Sequence, residues 1–98
     1  MYDLNLENYS LMKCNTGKAI EAVPKEKTPL DLMSIKNKLE EKGAEIEIST
    51  PILLIAHLGL PVSVYRSGKI IVKNTYDKEE AKKTISKLFD LIKWKEYF

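Results

Sequence analysis

Tyr65, Ser67, Lys69, Ile71 and Lys73 recur at every second position, mixing an aromatic ring, a hydroxyl, two cations and an aliphatic chain. Such a set suits a polyanion, with ammonium groups meeting phosphates and the ring meeting a base or sugar. The plainer reading is an exposed sheet face with lysines protecting a hairpin. Residues able to do covalent or acid–base work are sparse. His57 lies in an apolar run with no second histidine in the chain, and Cys14 stands far from it without metal-ligand spacing. A satisfied sheet histidine and a packed thiol account for both. Gly17, Gly43, Gly59 and Gly68 all fall at turns or a helix end, so no glycine loop cradles a phosphate. The sequence predicts no catalytic residue, metal ligand or cofactor, hence a protein that is not an enzyme.

The elements that would position these residues follow from periodicity. Tyr65 to Glu80 reads as a strand end, a Ser67-Gly68 turn, a strand with Ile70 and Val72 on one side, and a helix start at Asp77. Asp77 is expected to N-cap that helix, with Glu80 completing a capping box. Ala81, Ile85, Leu88 and Ile92, widened by Phe89, form its apolar stripe. Upstream, Met1 to Cys14 reads as an irregular strand, turning at Asn15-Thr16-Gly17 into a second strand from Lys18 to Val23. Thr28 is expected to cap a first helix, with Pro29 and Asp31 in its first turn, Leu32, Ile35 and Leu39 on its buried face and Gly43 as its stop. In Glu45 to Ser49, Ile46 and Ile48 should share one side and Glu45 and Glu47 the other. Ile52 to Leu58 is apolar on both faces, as in a central strand, and it begins an antiparallel meander.

The chain has 98 residues, enough for one core, so a single domain spanning 1–98 is expected. Sixteen basic side chains against 14 acidic leave +2, so any nucleic-acid patch must be local. No apolar run approaches the ~18 residues of a membrane span, and no signal-peptide pattern opens the chain, which predicts a cytoplasmic protein without a membrane partner. Abundant Lys, Glu and Ile form a composition of the thermophile kind. The Lys-rich stretches 36–42 and 78–87 interleave with Glu at helical spacing, the pattern of solvated helix faces. Leu91, Trp94, Tyr97 and Phe98 make an apolar C-terminus suited to packing on the N-terminal strand or to a partner.

The stretch YRSGKIIVKNTYDKEEAKK resembles a segment of the TATA-box-binding protein repeat: an aromatic residue, a Ser-Gly-Lys turn, a strand and an acidic helix start. Leu30-Asp31-Leu32 with Ile35 resembles the start of that family's first helix, and Ala44-Glu45 leading to Ile52–Leu58 resembles the segment after that helix. The resemblance covers residues 18–92 with small gaps. It implies an α+β fold in which a curved antiparallel sheet carries two helices on one face, in the order β-α-β-β-β-β-α, here with an extra N-terminal strand. It also implies a concave face that lies in a minor groove, with aromatic wedges between base steps. Tyr65 takes the place of a wedge phenylalanine and Lys69 that of the turn lysine, while the second wedge position falls near the smaller Pro51. The family joins two repeats into a saddle. This chain holds one, so only a homodimer would rebuild it.

Two functions compete. The first is a non-catalytic module binding DNA or RNA through Tyr65, Ser67, Lys69, Ile71 and Lys73 on the sheet face of a homodimer. The second is a protein-interaction or oligomerisation module using that same face or the C-terminal aromatics. Glu45 and Glu47 would place negative charge near the face and favour the second; Lys69 and Lys73 favour the first.

Overall fold

Apolar alternation along the strands builds the molecule. The computed structural model describes residues 9–13, 17–26 and 29–92. In chain order the elements are β1 (Tyr9–Lys13), β2 (Ala19–Pro24), α1 (Leu32–Glu41), β3 (Glu45–Ser49), β4 (Leu53–His57), β5 (Pro61–Tyr65), β6 (Ile70–Lys73) and α2 (Lys78–Leu91). The strands form a six-stranded sheet in the order β1-β2-β6-β5-β4-β3, and all its pairings are antiparallel. The fold is therefore α+β. Cys14, Asn15, Thr16, Thr28, Trp94, Tyr97, Phe98 and the Met1–Asn8 part of the strand expected over Met1–Cys14 lie outside the described residues.

Two connection types produce this order. Short reversals join β3 to β6 as a meander, whereas α1 carries the chain from β2 to the far edge, so the last strand of the meander returns beside β2. The β5–β6 reversal combines a turn at Arg66-Ser67, in which the Gly68 N–H donates to the Tyr65 carbonyl at 2.9 Å, with Gly68 at φ +100°. That φ is open to glycine without a Cβ clash. It lets the Tyr65 N–H reach the Lys69 carbonyl at 2.8 Å and start the next ladder.

One side of every strand faces the helices. Ile20 and Ala22, Ile70 and Val72, Val62 and Val64, and Leu54 and Ala56 form one buried core with Leu32, Ile35 and Leu39 of α1 and Ala81, Ile85 and Leu88 of α2. Burying each such aliphatic chain stabilises the fold by about 1.5–3 kcal/mol, which holds both helices to the same face. Phe89 packs at the margin, its ring 5.8 Å from that of Tyr9.

The helix ends differ from expectation in informative ways. Asp31 is itself the N-cap of α1, its carboxylate accepting from the Met33 and Ser34 N–H groups at 3.2 and 3.3 Å. The capping carboxylate outcompetes the Pro29 register because it satisfies two donors that otherwise lack intrahelical partners. At the other end, Gly43 (φ +83°) donates to the Glu40 carbonyl and Ala44 to that of Leu39, closing the helix as a Schellman motif. Asp77 caps α2 through the Glu79 N–H at 2.9 Å, but the Asp77 N–H donates to Thr75 Oγ1 at 3.0 Å rather than to Glu80. Thr75 is buried and already adjacent, so the reciprocal half of the capping box does not form.

Candidate functional site

The other side of the sheet carries neither of the two described helices. Its residues are fixed by register, because directly paired residues share a face. One transverse row runs Ile48, Ile55, Ser63, Ile71, Glu21, Met12 from β3 to β1. On one flank Glu45 pairs with His57 and His57 with Pro61, while Lys73 pairs with Ala19. On the other flank lie Leu53 opposite Tyr65 and Val23 opposite Ser10. An exposed face of an antiparallel sheet normally alternates to polar. Here its middle is aliphatic, with Ile55 buried, Ile71 half-buried, and Ile48 and Met12 exposed at 39% and 44%.

The sequence-predicted residues are distributed unevenly over this face. Tyr65 and Lys69 meet, the ammonium lying 4.7 Å from the ring centroid in a cation–π contact. Ile71 lies in the aliphatic row and Lys73 is exposed beside it. Ser67 belongs to the turn, not to a ladder, and is exposed at the end of the hairpin. Lys69 is also engaged by Glu21, Nζ to Oε1 3.5 Å. A carboxylate there offsets the cation that a phosphate would need.

Glu45 and Glu47 reach the helix-free side as expected, but Ile48 does so as well. A bulge between Ile46 and Ile48 breaks the alternation: Ile46 pairs with buried Ala56, whereas Ile48 pairs with Ile55 on the opposite face. The same irregularity brings Glu47 to His57, Oε1 to Nε2 2.6 Å. His57 is thus a partnered sheet histidine at the surface. Among the described residues, no group of three or more His, Cys, Asp or Glu side chains is placed to hold a metal.

Tyr9 supports the site from the covered side. The last pair of the β2–β6 ladder is Ala22–Ile70, and Pro24 ends β2 two residues beyond it. Pro24 has no N–H to give. The Tyr9 hydroxyl, from the strand beyond, donates to the Gly68 carbonyl at 2.7 Å. Burial pushes the Tyr9 phenol up from 10.0 to about 12, since the anion would lose its water. Tyr9 therefore ties β1 to the turn that presents Ser67 and Lys69.

Periodicity did not identify Met12, Glu21, Ile48, Ile55 or Ser63 as parts of one face. The alternation of Ile20 and Ala22 with Glu21 and Val23 was a readable signal for Glu21. Its meeting with Lys69 required the pairing of β2 with β6, which is remote in sequence. Elsewhere, Pro29, Leu30, Asp31, Met33, Pro51 and Arg66 line a shallow depression, whose carboxylate, Asp31, is occupied in capping α1. No described helix is long and apolar enough to cross a membrane. No protein-family model matches the chain, and no curated protein or solved structure matches it.

Proposed function

We propose that the chain is a non-catalytic binding module, resembling one TATA-box-binding protein repeat, that docks a protein partner on its helix-free sheet face. The element order after β1, β-α-β-β-β-β-α, and the Tyr65–Lys69 turn support the resemblance. The observation that carries the function is the helix-free row Ile48–Ile55–Ser63–Ile71, in which Ile48 is exposed and Ile71 half-buried, bordered by charges of both signs. Apolar surface within a mixed polar rim is the anatomy of a protein interface. A phosphate backbone would meet Glu45, Glu47 and Glu21 on the same face.

Nucleic-acid binding is the second reading, favoured by Lys69 over the Tyr65 ring and by exposed Lys73. A titration with duplex and single-stranded oligonucleotides at two salt concentrations separates the two. The protein-docking reading expects no binding to either form. Binding that weakens steeply with salt and is lost on Lys69→Ala or Tyr65→Ala overturns it in favour of nucleic acid.

A further inference from the structure

We infer that the outer edge of β1 is a strand-pairing site, and that its occupant is β1 of a second copy, running antiparallel about a two-fold axis at Leu11. This edge is a different surface from the sheet face and does not depend on the docking reading above. The hydrogen-bond phase of the sheet decides which backbone groups point outward. The Tyr65 N–H donates to the Lys69 carbonyl, and the Asn74 N–H to the Lys18 carbonyl. Along β6, then, Lys69, Ile71 and Lys73 turn their backbone groups to β5, while Ile70, Val72 and Asn74 turn theirs to β2, because alternate residues bond to opposite neighbours. Carried through the β2–β6 and β1–β2 registers, this makes Ser10–Val23 and Met12–Glu21 the bonded pairs of the last ladder. Tyr9, Leu11 and Lys13 therefore aim their N–H and C=O groups away from the sheet, and no strand among the described residues pairs with them.

The two edges of the sheet are not alike. β3 carries the bulge between Ile46 and Ile48 and the carboxylates of Glu45 and Glu47, devices that blunt a strand edge. β1 is a regular run, Tyr9–Lys13, with no bulge and no proline, and its one charge, Lys13, stands at its end. An exposed regular edge is a template for another strand. Pairing β1 of one copy with β3 of the next meets the bulge and leaves an open chain of copies, whereas β1 with β1 is isologous and closes. With Leu11 opposite its own equivalent, Tyr9 falls opposite Lys13 and Ser10 opposite Met12, and the outward backbone groups of both copies pair at once. The two Lys13 ammonium groups then lie at opposite ends of the seam. A register shifted by one residue sets outward groups against inward ones, and a register centred on Lys13 sets the two cations face to face. Leu11, half-buried at the margin of the core, meets its equivalent on the helix-covered side, and exposed Met12 lies opposite the small Ser10 on the other. Main-chain bonds along one short seam make a weak, concentration-dependent dimer.

Sedimentation equilibrium of the full chain up to about 1 mM, with residue-resolved amide hydrogen exchange over the same range, tests this directly. The expected result is a monomer–dimer equilibrium in which exchange of the Tyr9, Leu11 and Lys13 amides slows at least about twofold with concentration, as half-saturation requires. The inward Ser10 and Met12 amides should already be protected at dilution. Leu11→Pro removes an N–H that the β1–β2 ladder does not use, and it should weaken association at least about tenfold. Proline is tolerated on an edge strand with its missing donor turned outward, but it cannot give the central bonds of the seam. Unchanged thermal melting of the variant at dilution shows that the fold is intact; if the variant melts early, the exchange pattern of the unsubstituted chain decides. A strictly monomeric mass at about 1 mM overturns the inference. So do outward amides already protected at dilution, a dimer that leaves the exchange of Tyr9, Leu11 and Lys13 unchanged, or a dimer indifferent to Leu11→Pro in an intact fold. The oligonucleotide titration reads the sheet face and is independent of every one of these outcomes.

Discussion

The two faces of the sheet are made by the same strands, yet they differ in what completes them. On the covered face, Ile20, Val62, Val64, Ile70 and Val72 meet the aliphatic stripes of α1 and α2, and no charged side chain is buried among the described residues. On the helix-free face, no described helix lies above Ile55 and Ile71, and polar side chains pair along the surface, Lys69 with Glu21 and His57 with Glu47. The covered face is closed by the two helices; on the other face Ile55 and Ser63 are buried, Ile71 is half-buried and Ile48 is exposed at the β3 edge. Stability should therefore concentrate on one side of the sheet and recognition on the other.

Substituting adjacent residues of β6 puts the largest strain on this contrast. Ile70→Ala is expected to lower unfolding stability by about 2–5 kcal/mol in urea titration, because it leaves a cavity between β6 and the helices. Ile71→Ala, one position on, should cost below about 1.5 kcal/mol in the monomer. Equal losses would mean that the helix-free face is packed as tightly as the core.

Tyr9→Phe sharpens the contrast at the hairpin that joins the faces. It leaves the buried Gly68 carbonyl without a donor and should cost about 1–3 kcal/mol. The pH dependence has a definite sign. With the folded pKa raised from 10.0 to about 12, the neutral phenol's contribution is intact below pH 10 and is lost as pH rises towards 12. The wild-type minus Tyr9→Phe stability difference should shrink across that window.

Smaller effects are expected at the margins. Asp31→Ala should cost ~1 kcal/mol, read as a lowered melting temperature, by removing the acceptor for two α1 N–H groups. Glu47→Gln should change stability by less than about 1 kcal/mol, since its pair with His57 is partly exposed. A larger loss there would show that the edge pair holds the bulge rather than decorating it.

Much of the covered face was legible because its signals are local. Period two assigned Ile70 and Val72 inward, and helical spacing assigned Leu32, Ile35, Leu39, Ala81, Ile85 and Leu88, all of which are buried. The helix-free face was legible only along single strands. Tyr65, Ile71 and Lys73 could be placed on one side, but their neighbours Glu21, Ile55 and Ser63 come from strands whose pairing no local pattern encodes. The bulge that turns Ile48 over leaves no residue signature in Glu45–Ser49, because an alternating run reads the same with or without it.

By itself, then, the sequence determined the elements, their order and the buried side of each helix, since these depend on backbone geometry and spacing within a few residues. Tertiary structure alone decided that β6 pairs with β2, that the Tyr9 hydroxyl donates to the Gly68 carbonyl, and that Glu21 offsets Lys69. Those contacts join residues tens of positions apart. Their energies depend on distances that exist only once the sheet has closed.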